Sequence, residues 1–471
     1  MHVVETDQTA RAAAVAPAPA IAPAGVRDVA LSDRERRGVI AIGDFIVGGL
    51  ACWLAFAIHR GHLHSLPVME PLLFGVFWVA SLLLTDGYGF LVPVSRLQSG
   101  IAVIKALPVA ALLAVANFFV QPYVLNRPVI LLALGIGACL LILVRITVAR
   151  LLLRESFAVR AVLLSDHAVP PELAETLRAA RFECRVMATI VRTPEQQSDP
   201  SKLLNELTRL IEESRAHRLI VTDNELRLVP GLAEECLTHG VRFVSGNDLV
   251  ERYMGLVPLD SVDVHWYLGL PESDLLARPY ALARRIADIL LSALAAIPFL
   301  LLLPFAALAI RLESPGPIFL KQRRVGENGR QFDIYKLRTM THDAEADGPR
   351  LATPSDPRIT RVGRVLRTTR LDEAPQMFNI VRGDMSFIGP RPERPEFVSL
   401  FEQQVPHFRS RLLVKPGLTG WAQVKGGYAS TLPEIKRKLE YDLYYIKNRS
   451  LRLDLQILSI TLVTVLGLRG R

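Results

Sequence analysis

No Cys-x-x-Cys pair occurs in this chain, and its four cysteines, Cys52, Cys139, Cys184 and Cys236, stand singly with no histidine cluster at metal-ligand spacing. That excludes a disulfide framework and a structural zinc site, and the thiols read as reduced packing residues. Nucleic-acid motifs are missing too, so the net charge of +9 points away from nucleic acid and toward an anionic membrane surface. After the strand-like run VRAVLL stands Ser165-Asp166-His167-Ala168, where a dinucleotide site would need G-x-G-x-x-G. Residues 1–35 hold no continuous apolar core, because the prolines of RAAAVAPAPAIAPAG interrupt it. They read as a disordered cytoplasmic tail and not as a signal peptide.

What the chain has in abundance is apolar side chains, 50% of 471 residues. That is too many for an ordinary soluble enzyme. Apolar stretches near 38–58, 71–85, 101–120 and 128–149 each approach the roughly 20 residues that a helix needs to cross the hydrocarbon layer. Basic residues gather before the first (Arg34, Arg36, Arg37), between the second and third (Arg96, Lys105) and after the fourth (Arg145, Arg150, Arg154). The positive-inside rule then places the N-terminus and residue 150 onward on the cytoplasmic side, with four transmembrane helices over 36–154.

Between 155 and 270 short apolar runs (VRAVLL, CRVMATI, RLIVT, VRFVS) alternate with helical patterns, which predicts βαβ units and a parallel sheet in a Rossmann-like α/β module without its phosphate cradle. A scaffold or regulatory role suits it better than cofactor binding. A fifth apolar run, about 286–310, contains Pro298 and Pro304 and is flanked on both sides by basic residues (Arg284, Arg285; Arg311, Lys321, Arg323, Arg324). Cytoplasmic charge at both ends and a helix-breaking proline in the middle predict a re-entrant helix-break-helix centred on Pro298, against the alternative of a fifth spanning helix.

The densest charge lies in RVGRVLRTTRLDEAPQMFNIVRGDMSFIGPRPERPEF, residues 361–397. Arg361, Arg364, Arg367 and Arg370 recur every third residue and form a cationic stripe on a helix. The stripe runs into Asp372 and Glu373. Asp372 is placed to be an N-cap, with Glu373 at the first helical position and Pro375 inside the first turn of a helix through QMFNIV. Such an N-terminus offers free N–H groups to a phosphate, and two carboxylates there can share one Mg²⁺, one acting as nucleophile and the other as metal ligand. These residues alone do not say which does which. Lys336 and Arg338 of YKLRTM alternate along a strand and so face one way toward phosphate oxygens, while Arg391 sits on the rigid Gly389-Pro390-Arg391-Pro392 loop.

Residues from about 280 to the end, through DILLSALAAIPFL, SPGPIFLKQRRVG, DIYKLRTM, the 361–397 segment, VKPGLTGWAQVKG and LEYDLYYIKNRSLRLDLQIL, closely resemble the bacterial sugar transferase family, the polyprenyl-phosphate hexose-1-phosphate transferases. The resemblance implies an α/β catalytic domain over 279–471 with a re-entrant membrane helix broken at Pro298, in a multi-pass protein of the inner membrane with its catalytic domain on the cytoplasmic face. It implies that Asp372 attacks a UDP-sugar and releases UMP, that Glu373, with or without Asp372, binds Mg²⁺, and that Lys336, Arg338, Arg361, Arg364 and Arg391 hold phosphates. Polyprenyl phosphate, as undecaprenyl phosphate, then takes the sugar phosphate, initiating exopolysaccharide or a related glycan, with glucose or galactose the first expectation for the sugar. Two departures stand out: Ala374 where many members have Leu, and Lys425-Gly426-Gly427-Tyr428 in place of a stretch bearing Arg and Trp. The competing readings are a membrane glycosyltransferase that releases UDP and an inactive membrane scaffold or sensor. The closing apolar run, about 455–468, reads as an amphipathic interfacial helix with Lys447, Arg449 and Arg452 near lipid phosphates, and a homodimer through the four-helix region is compatible with the sequence.

Overall fold

The structure is a computed structural model that describes residues 33–60, 69–85, 87–88, 96–120, 126–152, 159–165, 169–179, 184–191, 200–222, 231–271, 277–341, 344, 356–427 and 431–466. The expected tail up to Ser32, the turn Asp166–Ala168 and Tyr428 lie outside the described residues.

Four apolar segments form helices α1 (Asp33–Arg60), α2 (Met69–Leu84), α3 (Arg96–Val120) and α4 (Arg127–Leu152). Phe74, Trp78 and Leu82 of α2 are fully enclosed by the other helices. Glycines make the close approach possible: a Cβ on Gly75 would fall 2.6 Å from the Phe45 carbonyl oxygen, and one on Gly137 would fall 2.7 Å from Trp78 Nε1. Stretches of α1, α3 and α4 (Arg37–His59, Ser99–Val120, Arg127–Val148) are long and apolar enough to cross a membrane, whereas α2, at 16 residues, is short of crossing length. Three of the four spans expected over 36–154 therefore have crossing length among the described residues.

Arg145, read from the sequence as a flanking cytoplasmic cation, is instead buried in the bundle. Its Nη2 lies 2.6 Å from Asp44 Oδ2, its Nε donates to Asp44 Oδ1 at 3.0 Å, and its Nη1 donates to the Gly87 carbonyl at 2.7 Å. Tyr88 donates its hydroxyl to Asp44 Oδ2 at 2.8 Å. A charge so deep in an apolar bundle is tolerated because its partner and its hydrogen bonds are all supplied.

Leu152–Gly246 forms a compact unit of its own. Strands β1 (Val159–Ser165), β2 (Cys184–Val191), β3 (Arg218–Val221) and β4 (Arg242–Ser245) pair in the order β2-β1-β3-β4, every pairing parallel. Helices α5 (Pro171–Ala179), α6 (Pro200–Ser214) and α7 (Leu232–Thr238) alternate with them, and Leu164, Leu203, Leu207 and Leu219 meet in its core. This is the parallel sheet expected from the alternating pattern. Its boundary differs from the expected 270, because 247–271 packs in the second unit: the Trp421 indole donates to the Gly255 carbonyl at 2.6 Å, and Val257 and Trp266 join the C-terminal core. A run of short polar turns and small helices gave no compositional edge at that point.

The second unit comprises Arg36–Leu151 and Asn247–Arg471. After α8 (Gly246–Met254) and the single turn α9 (Val264–Leu268), helix α10 runs from Ala277 to Glu313 as one 37-residue element with Pro298 and Pro304 inside it. The expected interruption at Pro298 is therefore absent: a proline removes one backbone bond, and the helix continues across both. The hairpin β5 (Phe319–Val325)–β6 (Gln331–Leu337) is antiparallel, and β7 (Ser386–Ile388) pairs in parallel with β8 (Gly417–Thr419). Helix α11 spans Arg361–Thr368, α12 Met377–Arg382, α13 Pro395–Gln404, α14 Trp421–Lys425, α15 Leu432–Lys447 and α16 Leu451–Leu466. Helix α16, expected as an amphipathic helix, packs one side on the C-terminal domain. Ile457 is fully buried, the Thr461 hydroxyl meets Thr419 at 2.7 Å, and Asp454 accepts from Tyr280 at 2.8 Å and Tyr445 at 3.1 Å, while Leu455 and Leu462 on its other side remain exposed. Lys447, expected near lipid phosphates, is paired with Glu251 at 2.7 Å.

Candidate active site

Thr360 caps α11, its Oγ1 accepting from Gly363 N at 2.9 Å, and the Glu313 carboxylate at the end of α10 accepts from the backbone N–H groups of Arg361 at 2.6 Å and Val362 at 2.8 Å. A Cβ on Gly363 would fall 2.0 Å from the Thr339 carbonyl oxygen, so only glycine lets α11 lie this close to the exit of β6. Past Thr368 the chain reverses at Arg370, which adopts left-handed φ 60 and ψ 14, into a tight 3₁₀ turn over Leu371–Gln376. That turn leads into α12, which Gly383 closes at φ 100.

Asp372 is consequently not an N-cap. Arg370 occupies the capping position, both carboxylates lie within the 3₁₀ turn, and α12 begins after them with six residues only. The helix-terminus phosphate cradle expected from the sequence is thereby withdrawn. A left-handed arginine leaves no mark in composition or periodicity, which is why spacing alone suggested a simple cap.

Four residues position the pair. Asn379, fully buried, donates to the Asp333 carbonyl at 2.7 Å and so ties α12 to β6, which carries Lys336. The Arg391 loop is held by a contact that needs glycine: Gly389 N donates to Thr419 O at 2.8 Å, Gly417 N donates to Pro390 O at 2.9 Å, and a Cβ on Gly389 would fall 2.4 Å from the Lys415 carbonyl oxygen. From this loop Arg391 Nη2 donates to Glu373 Oε1 at 2.6 Å. Lys336 Nζ lies 3.8 Å from the same oxygen and Arg370 Nη1 lies 3.6 Å from Oε2.

The two carboxylates, 9% and 7% exposed, behave in opposite ways. Burial pushes the Asp372 carboxyl above its ordinary range and the charge of Glu373 adds to this, with Lys336, Arg367 and Arg391 only partly opposing them. Burial would raise Glu373 as well, but Arg391 and Lys336, followed by Arg370, hold it well below the usual carboxylate range. Asp372 Oδ1 is also buried without a hydrogen-bond partner among the described residues. One carboxylate is ion-paired with three cations, only one of them at hydrogen-bond distance, and the other keeps an oxygen without a partner among the described residues. Lys336 itself is lowered to about 8, first by burial and then by the neighbouring Arg391.

Of the residues singled out in the sequence, Asp372, Glu373, Lys336 and Arg391 come together. Arg338 does not join them. It lies just past β6 and donates to the Ser314 carbonyl at 2.6 Å and the Pro315 carbonyl at 2.5 Å, clamping the end of α10. Arg361 and Arg364 are exposed on α11 and are not among the ion-pair partners of Glu373. Arg370, by contrast, pairs with Glu373 and Arg367 lies within electrostatic reach of Asp372. These two were visible only as members of the arginine stripe, whose three-residue spacing does not say which members turn inward.

Among the described residues no three His, Cys, Asp or Glu side chains converge on a cation position. The site offers a cation two hard carboxylate groups, one with an unpartnered oxygen. That donor set fits Mg²⁺, which is commonly held by one or two carboxylates and completed by water and substrate phosphates.

Residues 279–468 match the family described as "Bacterial sugar transferase". A UDP-N-acetylgalactosamine-undecaprenyl-phosphate N-acetylgalactosaminephosphotransferase of Aeromonas hydrophila is 47% identical over 187 residues, 40% of this chain and 44% of that protein. A UDP-glucose:undecaprenyl-phosphate glucose-1-phosphate transferase of Xanthomonas campestris pv. campestris is 41% identical over 191 residues, 40% of each chain. Another of that description from Caulobacter vibrioides is 43% identical over 189 residues, 39% of this chain and 70% of that protein. The aligned region thus spans less than half the length of the first two.

Proposed function

The chain belongs to the bacterial sugar transferase family, and on that footing we propose that it transfers a sugar 1-phosphate from a UDP-sugar to undecaprenyl phosphate, on the cytoplasmic face of the inner membrane, initiating exopolysaccharide or a related glycan. The observation that carries the reading is the asymmetry of the carboxylate pair: Glu373 is ion-paired with Arg391, Lys336 and Arg370, while Asp372 Oδ1 has no hydrogen-bond partner among the described residues.

In this reading an Asp372 oxygen attacks the β-phosphorus of the UDP-sugar. The bond from that phosphorus to the bridging oxygen breaks, UMP leaves, and a sugar-phosphoryl aspartate remains. A phosphate oxygen of the lipid then attacks the same phosphorus, the Asp372–phosphorus bond breaks, and the carboxylate is restored. Arg391, Lys336 and Arg370 hold phosphate oxygens around the reacting phosphorus, and Arg367 favours the ionised form of Asp372. Glu373 and Asp372 would hold Mg²⁺, which when bound neutralises phosphate charge. Relatives named for both glucose and N-acetylgalactosamine keep the donor open among hexoses and N-acetylhexosamines.

Helix α10, continuous across Pro298, is read as a segment that enters the membrane and returns to the same face. What supports the dip is that both ends are bonded to segments of the C-terminal domain. Arg284 donates to Ser386 Oγ at 2.9 Å and Asp288 accepts from Phe387 N at 2.8 Å near one end, while Glu313 accepts from Val362 N at 2.8 Å at the other. Between them Leu290, Leu294, Ile297, Leu301, Phe305 and Leu308 are exposed and suit lipid. The parallel-sheet unit is read as a Rossmann-like scaffold.

Identifying the nucleotide released from UDP-glucose, UDP-galactose, UDP-N-acetylglucosamine and UDP-N-acetylgalactosamine, with undecaprenyl phosphate and Mg²⁺ present, tests the proposal. UMP from at least one supports it. UDP would indicate a glycosyltransferase, and no release from any would favour the scaffold reading.

A further inference from the structure

Behind the Arg391 loop lies a buried ionic cluster that none of the chemistry above uses. Arg411, in the 3₁₀ segment Phe408–Leu413, is 4% exposed, and Asp442, on α15, is 2% exposed. Arg411 Nη2 donates to the Arg391 carbonyl oxygen at 3.0 Å and lies 2.9 Å from Asp442 Oδ2. Its Nη1 donates to Glu393 Oε1 at 3.4 Å, and Lys438, also on α15, donates to that oxygen at 2.6 Å. The guanidinium stacks over the Phe408 ring, 5.1 Å from its centroid. One side chain therefore grips the backbone of Arg391 and the carboxylate two residues on.

The geometry points to Arg411, backed by Asp442, as a positioning residue that sets where the Arg391 guanidinium meets Glu373. Burial keeps Arg411 from substrate, so any effect it has on turnover must pass through the loop. The loop is further fixed by Arg324 donating to the Pro392 carbonyl at 3.2 Å and Val325 N donating to the Glu393 carbonyl at 2.9 Å. Neither of these touches Arg391 itself. Arginine is needed because a planar fork reaches a carbonyl, Glu393 and Asp442 together, and a lysine offers a single point. The cluster also gives a role to LEYDLYYIKNR, the stretch that supplies Asp442 from a distant part of the sequence.

The inference rests on the phosphate-site reading of Arg391, and the experiment separates the two. Arg411→Met, Arg411→Lys, Arg391→Ala and the Arg391→Ala/Arg411→Met double variant are made in the full-length membrane protein. Hydrogen–deuterium exchange over residues 386–395 is measured beside UMP release. Arg411→Lys is expected to unfold within a few degrees of wild type yet lose roughly tenfold or more in kcat, and Arg411→Met to cost less than about threefold when added to Arg391→Ala. Exchange should rise over 386–395 and stay near wild type elsewhere in 279–466. Additive losses of kcat, unchanged exchange over 386–395, or exchange raised evenly across the region would each overturn the inference. If wild-type protein releases no UMP while exchange still rises locally, the proposed function fails and the positioning role of Arg411 stands.

Discussion

Arg391 Nη2 meets Glu373 Oε1 at 2.6 Å, and this one bond joins the Gly389–Pro392 loop to the 3₁₀ turn that carries Asp372. Replacing the fork by a point charge keeps the sign and loses the geometry. Arg391→Lys is expected to lower kcat/KM for the UDP-sugar by roughly 10- to 100-fold, the worth of about one charge-assisted hydrogen bond. Arg391 is partly exposed, so the thermal midpoint should move little, and steady-state kinetics beside a melting curve checks both.

The position of the α10 ends gives a topological prediction. Cysteines placed singly at Pro279 and Lys321, in a background lacking the four native cysteines, should both react with an impermeant thiol reagent from the cytoplasmic side only. Reaction from opposite sides would make α10 a full span and remove the dip.

Much of this architecture was legible beforehand, and the exceptions have physical causes. Apolar runs located α1, α3, α4 and α10, and alternation located the parallel sheet, because burial on a helix stripe or on both faces of a sheet writes itself into local composition. Asp372, Glu373, Lys336 and Arg391 were legible as residues. Their arrangement was not, since it depends on a left-handed Arg370 and on contacts between distant segments such as Gly389 with Gly417. Arg338 was misread for a related reason: alternation put it on the Lys336 face, but β6 ends at Leu337 and the side chain turns to the Ser314 and Pro315 carbonyls.

Arg145 teaches the same lesson in the bundle. Because Asp44 would be left buried and unpaired, Arg145→Met should destabilise the detergent-solubilised protein by about 3–5 kcal/mol, whereas the Asp44→Leu/Arg145→Met double replacement should recover most of that loss. Chemical unfolding of the three proteins decides the point; an equally damaging double variant would mean that the pair contributes more than mutual neutralisation.

Glu393 carries a pH prediction. Burial would raise its carboxyl, but Lys438 and Arg411 hold it well below the ordinary range. A depressed folded value means that its stabilisation is present above the unfolded pKa, about 4.3, and is lost as pH falls below that toward the folded value. Glu393→Gln should therefore lower the melting temperature at neutral pH, and the gap to wild type should narrow progressively below about pH 4. A gap that is constant or widens on acidification would contradict the assignment.

The central claim is that Asp372 is the nucleophile. Intact-protein mass spectrometry after incubation with UDP-sugar and Mg²⁺, without lipid acceptor, should show one added sugar phosphate on wild-type protein together with stoichiometric UMP, and neither on Asp372→Asn. An adduct that persists in Asp372→Asn, or near-normal turnover by that variant, would contradict the account.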